Sequence, residues 1–117
     1  MTSAVSLGQF EQIVLTAVLS LGEKAYGVTI HAKAQDLSAP RKVSLGAVYA
    51  TLDRLEEKGL IFSWLSEPKA ERGGRSRRHY ELEKTGERAL RESFDTAQRI
   101  VESIAQSWEG RAWRPGL

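Results

Sequence analysis

Residues 44–59 of this 117-residue chain read SLGAVYATLDRLEEKG, and they form its best-delimited element. Ser44 is a favoured helix N-cap, and Gly59 is a favoured helix stop. Between them the apolar residues recur at intervals of three, four and three. This spacing predicts an amphipathic helix whose apolar side faces a core. The apolar side consists of Leu45, Val48, Leu52 and Leu55.

Two helices are predicted before this one and two strands after it. Apolar residues follow helical spacing over residues 10–21 and again over residues 26–37. Residues 60–65 and 78–82 are rich in strand formers and flank a loop with two adjacent glycines. Three helices followed by a hairpin are typical of a winged helix-turn-helix domain. In that fold the third helix enters the DNA major groove and the hairpin loop contacts the backbone or minor groove.

The outward side of the third helix is predicted to be small in its first turns, so that nothing bulky blocks the approach to DNA. Glycine and alanine offer bases only shape and methyl contacts, and Arg54 is the one long donor on this side. Affinity is therefore expected to come mostly from the DNA backbone. Close packing against the second helix explains Gly46 and Ala47 equally well. The predicted DNA contacts in this helix are Ser44, Gly46, Ala47, Tyr49, Ala50 and Arg54.

Positive charge is concentrated in residues 69–78, which contain five basic residues and one acidic residue. The whole chain has a net charge of only +2, so the cluster stands out from a near-neutral to acidic body. Clustering of one sign on a Gly-Gly turn favours an element that follows phosphates over a merely solvated loop. The predicted DNA contacts from this loop are Lys69, Arg72, Arg75 and Arg77.

A long last helix is predicted over residues 84–109, with apolar residues at intervals of four and three that form a heptad seam. About 24 helical residues extend roughly 36 Å, which is longer than a helix needs to be to cover the core of the small domain. The seam is therefore expected to close against a second subunit, together with a second apolar stripe on the first helix. The predicted dimer interface is Leu15, Leu19, Leu90, Phe94, Ala97, Val101, Ile104 and Trp108. Phe94 and Trp108 are interpreted as interface packing, with an effector pocket as the alternative.

These elements predict a mainly α chain with a small β-hairpin wing. Residues 1–83 are predicted to form the winged helix-turn-helix DNA-binding domain, residues 84–109 the C-terminal dimerisation helix, and residues 110–117 a frayed tail.

The composition argues against an enzyme, a metal site and a cofactor. The chain has no cysteine, which excludes disulfides, thiolate metal sites and a cysteine nucleophile. Its two histidines, His31 and His79, are too far apart in sequence for a local metal motif and are interpreted as structural or solvated. No phosphate-binding or nucleophile-elbow motif is present.

Two other function classes fit the sequence less well. A winged-helix protein-interaction module would not need a basic wing, and a single Arg-Gly-Gly-Arg sequence is a weak signal for single-stranded RNA. The absence of a secretory signal pattern predicts a cytoplasmic protein.

The sequence also resembles the PadR family of bacterial transcriptional regulators. The resemblance is carried by residues 44–60, by residues 7–11, by the pairs Tyr26-Gly27 and Gly74-Arg75, and by Tyr80 and Leu82. It implies a homodimeric repressor that binds a roughly palindromic operator and dimerises through its C-terminal helix. In many members a small, often aromatic, effector controls binding, and the short last helix resembles the small-tailed branch.

The resemblance also assigns roles to single residues. Tyr49 and Arg75 match the recognition-helix tyrosine and the wing arginine of the family. Ala50, Ser76 and Glu83 stand where the family commonly has Pro, Pro and Thr. Since Glu83 replaces the usual threonine, Thr85 is an alternative cap for the last helix.

Overall fold

The computed structural model describes residues 7–67 and 76–109, and it has the predicted order of helices and strands. A short 3-10 turn, Gly22–Lys24, follows the first helix. The regular elements are α1 (Gln9–Leu21), α2 (Gly27–Ser38), α3 (Leu45–Glu57), β1 (Ile61–Leu65), β2 (Arg78–Leu82) and α4 (Lys84–Ser107). The winged helix-turn-helix prediction, with its long last helix, is confirmed.

The ends of α3 are those expected from its sequence. Ser44 caps it, with its Oγ accepting a hydrogen bond from the Ala47 N–H at 3.0 Å. Gly59 follows the helix with φ +76°, a left-handed conformation that glycine adopts at little cost. At the start of α4 the capping residue is Glu83, and Thr85 instead donates its hydroxyl to the Gly59 carbonyl at 2.6 Å. Thr85 therefore joins α4 to the end of α3 and does not cap α4.

The core lies where α1, α2 and α3 meet the inner face of the hairpin. Its fully buried members include Val14, Ile30, Val48, Leu52, Leu55, Leu60 and Ile61. Leu15 belongs to the same core, with none of its surface exposed. The prediction that Leu15 contributes to a subunit interface is wrong, because the hairpin and α4 pack on α1 as well and cover more than one side of this helix. Leu19, one turn further on, is 55% exposed.

The two strands pair antiparallel, and their register separates an inner from an outer face. Ile61 pairs with Leu82, and Trp64 pairs with His79. Because side chains alternate along a strand, Ile61, Tyr80 and Leu82 pack inward, whereas Phe62 and Trp64 are exposed. Two backbone contacts connect the hairpin to the start of α2. Tyr26 and His79 form an isolated β-bridge, and the Tyr80 N–H donates a hydrogen bond to the Ala25 carbonyl.

Only the first turns of α4 pack against this core. Gly86 and Ala89 are buried and Leu90 is partly buried. A Cβ at residue 86 would collide with the Leu60 carbonyl oxygen, so a glycine allows this close approach. From Phe94 onward the apolar side chains of the helix are exposed. Within the described residues, no helix is long and apolar enough to cross a membrane.

Candidate nucleic-acid interface

The N-terminus of α3 offers free hydrogen-bond donors. The Ser44 side chain satisfies the Ala47 N–H, and the Ser44 carbonyl accepts from Val48 at 3.3 Å. The N–H groups of Leu45 and Gly46 precede these bonds and point out of the helix end. Together with the positive end of the helix dipole they form a suitable contact for a DNA phosphate.

The outward side of α3 is small and exposed, as predicted. Gly46, Ala47 and Ala50 are all exposed, and open space surrounds the position where a Cβ of residue 46 would lie. The inward side differs in two respects from the predicted stripe. Leu45, at the first position of the helix, is 41% exposed, and Thr51 is buried among the apolar residues. The buried Thr51 hydroxyl is satisfied by a bond from Arg54.

Tyr49 lies on the flank of this side, 42% exposed, and its ring rests on the beginning of α2. A Cβ at Gly27 would collide with the Tyr49 hydroxyl and would lie 2.6 Å from its Cζ. Gly27 is therefore required by the close approach of the tyrosine ring. This contact explains why a glycine follows Tyr26. It also fixes the position of the Tyr49 hydroxyl.

Arg54 is not the free donor that the sequence predicted. Its Nη2 donates to the Thr51 hydroxyl at 3.2 Å, and its Nε lies 3.7 Å from the Glu11 carboxylate of α1. Lys58 donates to the same carboxylate at 2.7 Å, and the Gly8 N–H donates to it at 3.1 Å. The Arg54 guanidinium therefore has partners on both α3 and α1.

The Glu11 carboxylate stays ionised in this cluster although it is buried. Burial alone would raise its pKa, but the hydrogen bonds from Lys58 and Gly8 and the charges of Lys58 and Arg54 outweigh burial and lower the pKa of Glu11. Glu11 thus ties the C-terminal part of α3 to α1. Sequence reasoning did not assign this role, since the partners are 43 and 47 positions away.

The base of the hairpin carries two arginines with different surroundings. Arg77 lies over the Tyr26 ring, with its guanidinium carbon 4.1 Å from the ring centroid. Arg78 donates to the Ser63 hydroxyl, which in turn donates to Glu56 of α3. The other predicted contacts of the wing, Lys69, Arg72 and Arg75, lie outside the described residues.

Tyr80 of β2 is buried on the inner face of the hairpin, which faces the core. Burial raises its pKa, the charge of Arg78 opposes this, and Tyr49, Asp53 and Glu56 add to the increase. The Tyr80 phenol therefore stays neutral at physiological pH and serves as part of the core.

The structure adds two basic residues that the sequence reasoning missed. Arg41 and Lys42 are exposed in the connection that leads directly into Ser44. Gln35 holds this connection by hydrogen bonds to the Arg41 carbonyl and from the Val43 N–H, and His31 bonds to the Val43 carbonyl. His31 thus has the structural role predicted for it. A basic pair close before a helix cap was the signal that could have found these residues.

The predicted interface residues are partly brought together. Leu19 of α1 and Leu90, Phe94 and Ala97 of α4 line one groove of about 880 Å³. Val101, Ile104 and Trp108 extend the same side of α4 beyond it, all exposed in the single chain. Leu15 is absent from the groove lining because it is buried in the core.

Comparisons with known proteins agree with this architecture. The model of the transcriptional regulator PadR-like family matches residues 15–92. No curated protein sequence matches the chain significantly.

Solved structures of several regulators superpose on the chain. A PadR family transcription regulator from Clostridium difficile does so with a TM-score of 0.68 and 24% identity, covering 86% of this chain and 98% of that one. A PadR-like transcription factor from Bacteroides fragilis gives a TM-score of 0.66 and 26% identity, covering 85% and 89%. A PadR-like transcriptional regulator from Bacillus cereus gives 0.62 and 25%, covering 83% and 87%.

The family match covers α2, α3, both strands and the buried first turns of α4, which are the parts that build the exposed face of α3. The chain therefore belongs to the PadR-like family of transcriptional regulators, which are DNA-binding proteins and not enzymes.

Proposed function

We propose that the chain is a homodimeric repressor that binds a palindromic DNA operator and is released by a small aromatic effector. The single observation that carries the proposal is the exposed, unobstructed face formed by the first turns of α3. It combines free N–H groups, small side chains and a tyrosine whose position is fixed by α2. Since transcription takes place there, the protein would act in the cytoplasm.

The DNA contacts divide into those that set register and those that add affinity. Ser44, Gly46, Ala47, Tyr49 and Ala50 are proposed to enter the major groove. Basic side chains outside α3 are proposed to contact phosphates, which adds affinity without reading sequence. These side chains are Arg41, Lys42, Lys69, Arg72, Arg75 and Arg77. Arg54, whose side chain is 54% exposed, is proposed as a further DNA contact that also pairs with Glu11.

Dimerisation is proposed through α4, with residues 1–83 as the DNA-binding unit and residues 84–109 as the dimerisation helix. Support comes from the large apolar side chains that a single chain leaves exposed on α4. Phe94 and Val101 are both 62% exposed, which is unusual for an apolar seam of this regularity unless a partner covers it. Leu19 lines the same groove and would add to the interface.

A selection from a random DNA duplex pool tests the proposal. We expect enrichment of a palindrome whose half-sites are about 34 to 36 Å apart, one turn of DNA, because a dimer axis relates the two α3 helices. Sedimentation equilibrium on the same sample should give twice the chain mass. A pool with no enriched sequence would contradict specific binding, and enrichment of a single half-site by a monomer would contradict the symmetric dimer.

A further inference from the structure

Gly46 is the only glycine of α3, and the described part of the chain contains no reason for it. Its φ is not left-handed, unlike that of Gly22 and Gly59. Apart from its own stretch of helix backbone and its chain neighbours, no described atom lies within 4 Å of the position that its Cβ would take. At Gly27 and Gly86, in contrast, a Cβ would collide with a packed neighbour. Packing within the fold therefore does not explain Gly46.

A glycine at this place is costly, so the reason for it is expected to lie outside the chain. Apart from proline, glycine is the least favourable residue in a helix. It is often found where a ligand comes close to the backbone. Gly46 is exposed in the first turn of α3, on the face that is proposed to enter the major groove. The missing side chain therefore points to a group of the DNA that occupies this space.

The missing side chain leaves a notch, which is the space over Gly46 bordered by Tyr49 and Ala50. Residues three and four positions apart are neighbours on a helix surface, and their side chains lean toward the N-terminus. The Tyr49 ring is held against Gly27 and leaves the notch open. Since carbon atoms pack at about 3.5 to 4.0 Å, the notch can take a methyl group without displacing its borders.

The charges along the outward side of α3 restrict the DNA contact to the first turns of the helix. Asp53 and Glu57 continue this side beyond Ala50, and both are exposed. Their negative charge repels DNA phosphates, whereas the free N–H groups that follow Ser44 attract them. The helix is therefore expected to approach DNA with its N-terminal end. The notch lies in that end, and an alanine methyl group and a tyrosine ring border it.

We infer that the notch over Gly46 receives the 5-methyl group of a thymine, which packs against the Ala50 methyl group and the Tyr49 ring. Thymine carries a methyl group in the major groove, and small apolar side chains recognise it there. Gly46 and Ala50 are then specificity-determining residues, and each half-site of the operator has a thymine at this place. The inference rests on the proposed DNA-binding function and names the base that this face reads.

Operators that contain deoxyuridine in place of thymine test the inference without any change to the protein. This replacement removes only the 5-methyl group and keeps the hydrogen-bonding edges of the base. Each thymine of the selected operator is replaced in turn, in both half-sites together, and fluorescence anisotropy gives the affinity. At one position the affinity should fall about tenfold or more, because burying a methyl group is worth about fourfold in each half-site. The thymines outside the contacted positions are internal controls.

Gly46→Ala tests whether the sensitive thymine lies in the notch. The added Cβ meets no packed neighbour, so the variant should keep the fold, which thermal unfolding checks. Because the Cβ fills the notch, the variant should bind the thymine operator more weakly and should lose the tenfold preference for thymine over deoxyuridine. Gln106→Ala is the control variant. It changes an exposed residue on the side of α4 opposite the apolar seam and should keep the wild-type preference.

The outcomes separate this inference from the alternatives. An operator on which no deoxyuridine replacement weakens binding would refute the notch and leave the DNA-binding function intact. So would an unchanged thymine preference in Gly46→Ala. An equal loss on every duplex in Gly46→Ala would also overturn the inference, because a sugar or phosphate would then occupy the notch. A pool with no enriched operator would contradict the proposed function, and this inference with it.

Discussion

Replacing Gly27 by alanine is expected to weaken operator binding without weakening the fold. The added Cβ would lie 2.6 Å from Cζ and 2.9 Å from Cε1 of Tyr49, and closer still to the hydroxyl. Since carbon atoms pack at about 3.5 to 4.0 Å, the tyrosine ring must move by about 1 Å. The movement takes the ring away from α2 and changes the position of the one large side chain on the face of α3.

The two effects differ in size. The ring is 42% exposed, so it can move toward solvent. Replacing glycine by alanine also restricts the unfolded chain, which stabilises a protein by about 0.4 to 1 kcal/mol. The free energy of unfolding should therefore change by no more than about 1 kcal/mol. A well-placed base contact contributes about 1 to 3 kcal/mol, and a dimer loses it in both half-sites. The combined loss of about 2 to 6 kcal/mol should lower operator affinity by about thirtyfold or more.

Fluorescence anisotropy with the selected operator and with an unrelated duplex measures this loss, and thermal unfolding followed by circular dichroism checks the fold. The control is the same glycine change made in a Tyr49→Ala background. If Gly27→Ala acts through the ring, it should cause no further loss of affinity there. A folded Gly27→Ala protein with wild-type operator affinity, or losses that simply add, would refute the reasoning.

Ala50→Glu puts bulk and negative charge on the exposed side of α3. Anisotropy should therefore show specific binding about 10³-fold weaker, and the melting temperature should be almost unchanged. Wild-type binding by the folded variant would mean that α3 does not enter the groove. Ile104→Glu would bury a charge in the proposed seam and should dissociate or unfold the dimer in sedimentation experiments; an unchanged dimer rejects this seam. Arg75→Ala should reduce the magnitude of the salt slope by about 2 per dimer and weaken all duplexes equally; altered base preference alone would argue against a backbone role. Glu11→Gln should lower the free energy of unfolding by about 1 to 2 kcal/mol at neutral pH, because its partners are partly exposed. The pKa of Glu11 is lowered in the folded state, so the ionised carboxylate stabilises the fold fully above the usual pKa of 4.5. This stabilisation is lost as the pH falls through the lowered pKa. The melting temperatures of the wild-type protein and of Glu11→Gln should therefore converge in that pH range.

Local sequence signals predicted the elements of the fold because each element carries its own start, stop and periodicity. The cap at Ser44, the stop at Gly59 and the apolar spacing between them fixed α3 to within a residue. The alternation of residues 78–82 likewise gave β2 with its observed bounds. The exposed side of α3 followed directly, since helical geometry determines which residues oppose the apolar stripe.

The surroundings of individual side chains could not be predicted from the sequence, because contacts between elements determine them. Leu15 formed part of a regular second stripe, but the hairpin and α4 pack against α1 and bury it within one chain. Arg54 is exposed on α3 as the helical wheel indicates, yet its side chain also pairs with the Glu11 carboxylate of α1. The contact between Gly27 and Tyr49 joins residues 22 positions apart, and no local pattern connects them. These differences all arise from contacts between elements.

The two ends of α3 are attached to different elements of the fold. Its C-terminal part is held by the carboxylate of Glu11, which binds Lys58 at 2.7 Å. Its first turns are supported through the Tyr49 ring on Gly27, at the point where the hairpin also meets α2 through Tyr26. Each end of α3 therefore depends on a different neighbouring element, so Gly27→Ala perturbs the first turns of the helix and Glu11→Gln perturbs its C-terminal part.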